Sequence, residues 1–271
     1  MPATRGTGEL EPLSVVASDG VRLHCSVYGP AEATVGVVFG HGFTGSGRNP
    51  KVIDLAQTFA RAGFAFYAID FRGHGGSEGV SSLGDDEVLD LEAVVAVARS
   101  RHQFVVTMGA SMGGFVALRH AALHGPLDAT IAISSPAHVD GDVLLRARFL
   151  AALASSYRGR KLLRYQGTRV GSFPKDVATA YELAPFISPT PVSIVHGLRD
   201  RYIPLSQAKA LYERLREPRR LVVLDDFGHG EAGFSPSFDL MLAQLVTDLV
   251  THGSEVGESP RPAGTSCGES V

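Results

Sequence analysis

The distribution of apolar residues along the chain predicts strands and helices in alternation. The segment 35–39 is almost continuously apolar, which is typical of a strand buried on both faces of a parallel sheet. The segment 52–62 has apolar residues at helical spacing and is ended by Gly63. This alternation predicts one α/β domain with a doubly wound, mainly parallel sheet. The further predicted strands are 64–69, 104–108, 129–133, 192–195 and 221–224, and the further predicted helices are 85–100, 112–124, 205–215 and 238–250.

The two ends of the chain do not follow this pattern. Residues 1–12 are expected to form a flexible leader. Residues 252–271 combine Gly, Ser, Pro and Glu with little apolar content, which is typical of a disordered tail. The α/β domain is therefore predicted to span 13–251.

The alternation is also interrupted inside the domain, at about 136–190. Residues 143–153 and 177–183 have helical patterns, an arginine-rich stretch at 157–169 lies between them, and no strong strand pattern is present. Because this segment lies between two predicted strands of the sheet, we expect it to form a small helical cap over the carboxyl edge of the sheet.

Composition narrows the classes of function. Apolar residues make up 44% of the 271 residues, enough for a large core, and the net charge is −3, which gives no overall basic field for binding nucleic acid. The two cysteines, Cys25 and Cys267, are too few for a disulfide framework. The N-terminus lacks the apolar core of a signal peptide, and no apolar run reaches the ~18 residues of a membrane-spanning helix. We therefore expect a cytoplasmic protein.

The strongest chemical signal is the motif Gly109-Ala110-Ser111-Met112-Gly113, which matches G-x-S-x-G. It lies between a predicted strand and a predicted helix, where small residues allow a sharp turn that exposes the serine hydroxyl. The alternative is a glycine-rich turn in which Ser111 only caps the helix. The context favours Ser111 as a nucleophile.

A serine nucleophile needs a histidine base, which in this motif's chain order follows an acidic residue. His229 lies in a glycine-flanked loop after the strand 221–224, at the carboxyl edge where ligands bind in open α/β sheets. It is the predicted base, with a solvated loop histidine as the alternative. The other histidines after Ser111 fit less well, because they lie on the following helix, at a strand end, in the cap or in the tail: His120, His124, His138, His196 and His252.

The predicted acid is Asp200, in the loop after the strand 192–195. Its alternative role is that of a turn aspartate before Pro204. Four other aspartates compete for the assignment: Asp225 and Asp226 are very close in sequence to His229, and Asp140 and Asp142 follow the strand 129–133.

Acyl transfer also needs backbone N–H donors for the oxyanion. The expected donors are the amide of Met112, directly after the nucleophile, and an amide of the loop after the strand 35–39. In that loop, Gly40-His41-Gly42-Phe43, the amide of Phe43 is the best candidate. His41 is interpreted as a structural hydrogen-bonding group.

With these residues in place, the chain resembles the α/β-hydrolase superfamily, and within it the serine esterase, lipase and S33-type peptidase branch with a helical cap. The resemblance implies the α/β-hydrolase fold, with antiparallel first strands that fit the Asp19-Gly20 hairpin signal. It also implies the catalytic roles given above, and Ala110 stands where many relatives have a larger polar residue. The matching motifs are His41-Gly42-Phe43, Asp70-Phe71-Arg72-Gly73-His74-Gly75-Gly76-Ser77, Gly109-Ala110-Ser111-Met112-Gly113-Gly114, His196-Gly197-Leu198-Arg199-Asp200 and Gly228-His229-Gly230.

The predicted cap is basic: residues 138–175 contain eight Lys or Arg and only two acidic residues, Asp140 and Asp142. This charge indicates either a solvated surface or a docking site for something acidic, such as an anionic substrate, an acidic carrier protein or an anionic membrane surface. The basic residues are Arg146, Arg148, Arg158, Arg160, Lys161, Arg164, Arg169 and Lys175.

The leading hypothesis is a serine hydrolase that cleaves a small-molecule carboxylic ester through an acyl-enzyme on Ser111. The alternative is a thioesterase or other acyl-processing enzyme acting on carrier- or CoA-bound substrates. Weaker alternatives are an S33-type peptidase and a catalytically silent binding protein of the same fold. The predicted chemistry uses no metal and no organic cofactor, since no metal-binding or phosphate-binding motif is present.

Overall fold

The computed structural model describes residues 9–138, 145–171 and 177–255. Within these ranges eight strands form one sheet in the order β1-β2-β4-β3-β5-β6-β7-β8. The strands are β1 (Glu9–Val16), β2 (Arg22–Tyr28), β3 (Val35–Gly40), β4 (Ala65–Asp70), β5 (Phe104–Ala110), β6 (Ala129–Ile133), β7 (Val192–Gly197) and β8 (Arg219–Leu224).

The sheet is mainly parallel, as predicted. β1 pairs antiparallel with β2, where Leu13 faces Cys25, and β2 pairs antiparallel with β4. From β4 to β8 every neighbouring pair is parallel. The carboxyl ends of β3 to β8 therefore meet at one edge, and the loops after them form a common surface.

Helices cover both faces of the sheet. The helices are α1 (Pro50–Arg61), α2 (Glu87–Arg101), α3 (Met112–His124), α4 (Leu145–Ser155), α5 (Tyr157–Tyr165), α6 (Ala180–Leu183), α7 (Leu205–Arg214) and α8 (Pro236–Glu255). Helices α2, α3 and α7 pack in one buried apolar cluster with side chains such as Val38, and α1 and α8 pack in a second cluster with Val37 and Phe39. Successive residues of β3 thus face opposite layers, which explains the continuous apolar pattern of the buried strands. This is the α/β-hydrolase fold that the resemblance implies.

The domain boundaries differ from the prediction at both ends. β1 begins at Glu9, within the segment predicted as a leader, because its backbone pairs with β2 as far as Tyr28. Helix α8 continues to Glu255, four residues into the predicted tail. Residues 1–8 and 256–271, including Cys267, lie outside the described residues, whereas Cys25 is a buried free thiol.

The inserted segment after β6 contains helices, and one of them has no counterpart in the sequence prediction. The sequence pattern predicts no helix or strand in the arginine-rich stretch 157–169, but this stretch forms α5. The Ser156 hydroxyl caps the start of α5 by accepting the Gly159 amide at 3.0 Å. The predicted helix 177–183 is reduced to the single turn α6, begun by a capping box at Thr179. Residues 139–144 and 172–176 of the predicted cap lie outside the described residues.

The end of the α4–α5 segment is attached to the loop that follows β4. The Arg169 amide donates to Gly73 O at 2.8 Å, and its guanidinium binds the carbonyl oxygens of Gly79, at 3.1 Å, and Ser77. Val170 forms an isolated parallel bridge with Ser81. These contacts hold the inserted helices at the carboxyl edge of the sheet. Among the described helices, none combines the length and apolar character needed to cross a bilayer.

Candidate active site

Ser111 lies at the sharp turn between β5 and α3. Its backbone has φ 53° and ψ −115°, a conformation that costs a non-glycine residue about 1–3 kcal/mol. Two hydrogen bonds hold the turn: the Ser111 amide donates to Ile133 O at 2.8 Å, and its carbonyl accepts from the Phe115 amide at 3.1 Å. The turn therefore projects the serine side chain out of the regular strand and helix.

The glycines of the motif are required by close backbone contacts. A Cβ at Gly109 would lie 2.1 Å from Gly113 O, and a Cβ at Gly113 would lie 2.0 Å from Gly40 O. These neighbours are backbone atoms of β3 and α3, so they cannot rotate away. Small residues therefore allow α3 to start directly against the strands and to place Ser111 at the sheet edge.

The structure brings together the three residues predicted as nucleophile, base and acid. His229 Nε2 lies 2.9 Å from Ser111 Oγ, and His229 Nδ1 lies 2.7 Å from Asp200 Oδ2. The tautomer that fits both contacts has the proton on Nδ1, which donates to Asp200, and accepts the serine hydroxyl proton at Nε2. These side chains come from three loops, after β5, β7 and β8.

Asp200 is fixed by hydrogen bonds to both carboxylate oxygens. Oδ1 accepts the amides of Tyr202, at 2.8 Å, and Ile203, at 3.0 Å. Burial opposes the charge of this carboxylate, but the hydrogen bond and charge of His229 and the two amides outweigh it, so the pKa of Asp200 lies below its usual value. One oxygen of Asp200 therefore holds the turn before Pro204, while the other contacts His229.

His196 and Tyr202 complete the surroundings of the acid and the base. The buried His196 ring donates from Nε2 to Ile203 O at 3.1 Å, and burial lowers its pKa. The Tyr202 ring stacks on His229 with centroids 4.6 Å apart. His196 thus steadies the Asp200 loop, and Tyr202 restricts rotation of the His229 ring.

The loop after β3 is organised by His41. Its Nδ1 lies 2.7 Å from Gly42 O, which also accepts the Gly45 amide at 2.8 Å, and its Nε2 accepts the Phe71 amide at 3.1 Å. The carbonyl of Gly42 and the N–H of Phe43 belong to one trans peptide group and point in opposite directions. Fixing that carbonyl therefore aims the Phe43 N–H away from His41.

The two predicted oxyanion donors are the amides of Phe43 and Met112. Met112 is the first residue of α3, where an N–H has no acceptor within the helix and the helix dipole favours negative charge. In the part of the chain that the structure describes, neither amide donates to another protein group. Both amides are therefore available to a substrate oxygen.

The motif from Asp70 to Ser77 has a structural arrangement. Asp70 is buried and accepts the amides of Gly47 and Gly76, both at 2.8 Å. Arg72 forms a buried ion pair with Asp90 at 2.7 Å. The His74 ring contacts the carbonyl of Phe43 and thereby restrains the loop after β3, which we call the oxyanion loop after its predicted role. Asp70, Arg72 and His74 therefore hold neighbouring loops in place.

The competing candidates lie elsewhere. Asp226 is exposed and pairs with Arg199 at 2.6 Å. His120 pairs with Glu92 at 2.6 Å on the side of α3, and His138 packs on Tyr181. Asp140 and Asp142 are outside the described residues.

One acidic residue near Ser111 was missed from sequence. Glu231 Oε1 accepts the Gly42 amide at 2.5 Å, and a Cβ on Gly42 would lie 3.1 Å from Glu231 Oε2 and 3.4 Å from Ser111 Cβ. Its position two residues after His229, in a glycine-rich loop, is the sequence signal that could have identified it. Nothing in the sequence indicates that Tyr202 stacks on His229, because that contact joins the loops after two different strands.

Comparison with known proteins places this chain among hydrolases. Residues 31–181, more than half of the chain, match the model of a family described as serine aminopeptidase, S33. A monoacylglycerol lipase of Mycolicibacterium smegmatis is 28% identical over 272 residues, covering 86% of this chain and 94% of the lipase. The uncharacterized protein YfhR of Escherichia coli K12 is 26% identical over 256 residues, covering 89% of this chain and 81% of YfhR.

Solved structures show the same fold. The esterase Pf2001 of Pyrococcus furiosus superposes with a TM-score of 0.72 at 21% identity, over 89% of this chain and 93% of the esterase.

Proposed function

The chain belongs to the family described as serine aminopeptidase, S33, within the α/β-hydrolase superfamily, and from this premise we propose that it is a serine hydrolase that cleaves carboxylic esters. Ser111 is the nucleophile, His229 the general base and acid, and Asp200 the carboxylate that orients His229. The proposal rests chiefly on the continuous chain of contacts from Ser111 Oγ through His229 to Asp200, at 2.9 and 2.7 Å.

In the first half of the proposed reaction, Ser111 Oγ attacks the ester carbonyl while its proton moves to His229 Nε2. The new O–C bond pushes the carbonyl electron pair onto oxygen, and the amides of Phe43 and Met112 stabilise that oxyanion. Asp200 stabilises the cationic His229 ring. When the tetrahedral intermediate collapses, the C–O bond to the leaving group breaks and His229 gives its proton to the departing alcohol, which leaves an acyl-enzyme.

The second half repeats these steps with water. His229 takes a proton from a water molecule as the water attacks the acyl carbonyl, and the same two amides stabilise the oxyanion. The bond to Ser111 Oγ then breaks, the serine regains its proton from His229, and the carboxylic acid is released. The departing alcohol carries the proton that Ser111 lost, and water restores that proton and supplies the hydroxyl of the acid, so the enzyme is regenerated with no co-reactant besides water.

The direct test is hydrolysis of a p-nitrophenyl ester series from acetate to palmitate by the wild type and Ser111→Ala. We expect turnover that peaks at one acyl length and falls by a factor of at least about 1,000 in Ser111→Ala. Turnover that persists in Ser111→Ala would contradict Ser111 as nucleophile. The relatives named as a monoacylglycerol lipase and an esterase support ester substrates.

A second candidate reaction is the removal of an N-terminal amino acid, because the matching family is described as a serine aminopeptidase. The same nucleophile and base would act, with an amine as leaving group. Aminoacyl p-nitroanilides compared with p-nitrophenyl esters distinguish the two, and kcat/KM is expected to be higher for the esters. Acyl-CoA thioesters test the thioesterase alternative in the same assay.

A further inference from the structure

Helices α4 and α5, residues 145–165, together form what we call the basic hairpin. Residues 145–171 contain seven Lys or Arg and no Asp or Glu, in a chain whose net charge is −3, so the rest of the chain is more negative than the whole. Positive charge is therefore concentrated on one small element. Helix α5 has the sequence YRGRKLLRY, with a tyrosine at each end.

The outward side of α5 carries apolar and aromatic groups among its cations. Tyr157 is 79% exposed, Tyr165 is 92% exposed and Leu162 is 48% exposed. Arg158 and Lys161, also exposed, lie between them at helical spacing. Only Gly159 and Leu163 of this helix are buried, and they face the rest of the protein.

Helix α4 extends this surface. Phe149 on α4 is 70% exposed, beside the exposed Arg148. Monomeric proteins rarely leave large apolar groups together at the surface unless that surface binds something. Here the cations are interleaved with those groups, which is the composition that favours the interface of an anionic membrane.

We propose that the basic hairpin docks this protein on an anionic lipid surface, with Tyr157, Leu162, Tyr165 and Phe149 entering the interface and the cations facing the lipid headgroups. The charge is complementary to such a surface, and tyrosine is a side chain that lipid–water interfaces favour. An acidic protein would account for the cations but leaves no reason for three large exposed apolar groups on one short helix. Docking also brings the carboxyl edge of the sheet, which carries Ser111, close to esters held in the membrane.

The test is co-sedimentation of the full chain with phosphatidylcholine vesicles that contain or lack phosphatidylglycerol. We expect binding to the mixed vesicles and little to phosphatidylcholine alone. In Arg158→Gln/Lys161→Gln/Arg164→Gln the affinity is expected to fall roughly 100-fold. The matched control, Lys209→Gln/Arg216→Gln/Arg220→Gln, removes the same charge from exposed positions outside the hairpin and is expected to bind within about 3-fold of wild type.

A second set of variants separates lipid from acidic protein. Tyr157→Ser/Leu162→Ser/Tyr165→Ser keeps the charge and is expected to lose at least about 10-fold in vesicle affinity. Circular dichroism confirms that each variant is folded. The proposal is overturned if the wild type does not bind anionic vesicles or if the control loses as much affinity as the hairpin variant. It is also overturned if the serine variant binds vesicles like wild type, since charge alone would then suffice. These readouts need no enzymatic activity.

A second inference comes from different side chains, around Glu231. Its carboxyl group lies close against two glycines of the loop after β3. A Cβ on Gly42 would lie 3.1 Å from Oε2, and a Cβ on Gly45 would lie 3.3 Å from Oε1. Oε1 accepts the Gly42 amide at 2.5 Å, and the peptide group that follows carries the Phe43 N–H. Glu231 thus joins the oxyanion loop to the loop of His229.

We infer that Glu231 is a positioning residue that holds the oxyanion loop in register with the catalytic histidine. This inference rests on the proposed function, since the amide it positions is the proposed oxyanion donor. No lysine or arginine pairs with Glu231 among the described residues, and the titratable group whose charge acts on it is His229, on its own loop. Burial raises the pKa of Glu231.

The test compares Glu231→Ala and Glu231→Gln by kcat and KM. Loss of the acceptor in Glu231→Ala is expected to lower kcat about 10- to 100-fold with KM within about 3-fold. Glu231→Gln keeps an oxygen for the Gly42 amide, so most of kcat is expected to return. An unchanged kcat in Glu231→Ala, in an enzyme whose turnover depends on Ser111, would overturn the inference. An enzyme whose turnover is independent of Ser111 would instead contradict the proposed function.

Discussion

The edge of the sheet around Ser111 and the basic hairpin treat polar and apolar groups in opposite ways. At the sheet edge, the carboxylate of Asp200 is buried and both of its oxygens accept hydrogen bonds, from His229 and from two amides. In the hairpin, large apolar groups such as Tyr165 are exposed, and the cations have no acidic neighbour in 145–171. The first arrangement fixes atoms for chemistry, and the second leaves groups available for a partner. Mutations at the sheet edge are therefore expected to lower turnover without changing vesicle binding, and mutations in the hairpin to do the reverse.

The largest effect should come from the triad. His229→Ala removes the base and is expected to lower kcat by about 10⁴- to 10⁶-fold, while vesicle binding through the hairpin stays at the wild-type level. Steady-state kinetics measure kcat, and co-sedimentation of the same preparation measures vesicle binding. The matched control His124→Ala, on α3 away from Ser111, should keep wild-type kcat. A His229→Ala variant that also lost vesicle binding would break the separation.

The next effect concerns the backbone that holds Ser111. A Cβ at Gly113 would lie 2.0 Å from Gly40 O, so Gly113→Ala is expected to lower the free energy of unfolding by about 2–4 kcal/mol, since neither backbone can move freely. Gly228→Ala is the control in the His229 loop, because nothing lies within 4 Å of a Cβ there. Urea unfolding measures both, and equal stabilities would contradict the close packing of α3 on β3.

A smaller effect concerns a buried carboxyl group outside the active site, whose ionisation is expected to lower the free energy of unfolding. Asp239 on α8 is buried, its Oδ1 has no hydrogen-bond partner among the described residues, and burial together with the charge of Asp54 raises its pKa to about 6. The folded state therefore binds this proton more tightly than the unfolded state does. The free energy of unfolding should fall as pH rises from about 4 to about 6 and then level off.

Asp239→Asn removes this ionisation and is expected to be about 1–3 kcal/mol more stable than wild type at pH 8, with the difference shrinking at pH 4. Thermal unfolding at the two pH values measures this change. The control Asp248→Asn makes the same substitution on the same helix, at a carboxylate to which Gln244 donates at 2.8 Å, and shows the effect of the substitution itself. A gain of equal size at both pH values would contradict the assignment to ionisation.

The smallest effect is expected from the hairpin on a soluble substrate. Arg158→Gln/Lys161→Gln/Arg164→Gln should hydrolyse a short p-nitrophenyl ester within about 2- to 3-fold of wild type, because these side chains are exposed on α5 and have no role in the proposed chemistry. The same variant should be impaired on an ester presented in anionic vesicles. Equal loss on both substrates would mean that the hairpin acts on catalysis itself.

The features that could be predicted from sequence are those that local patterns encode. Strands, most helices and the residues Ser111, Asp200 and His229 carry local signals: apolar runs, glycine-flanked turns and a fixed chain order. The parallel sheet and the fold are confirmed. The triad roles stay predictions, although the structure brings the three side chains within hydrogen-bond distance.

What could not be predicted depends on contacts between distant segments or on weak local signals. The contact between Glu231 and Gly42 joins residues 189 positions apart, and no local pattern encodes that approach. Helix α5 was missed because four charged residues obscure its apolar spacing, and its start depends on the Ser156 cap. The leader boundary was misplaced because Glu9 joins the sheet by backbone pairing, which its side chain does not reveal.

The central claim, that Ser111 is activated by His229, is tested most directly by mass spectrometry after reaction with a fluorophosphonate. The account predicts one adduct per chain, located on Ser111, with a rate of labelling that falls at least about 1,000-fold in His229→Ala. Labelling at another residue would contradict it. So would a chain that turns over esters while its Ser111 stays unlabelled after prolonged treatment with the fluorophosphonate.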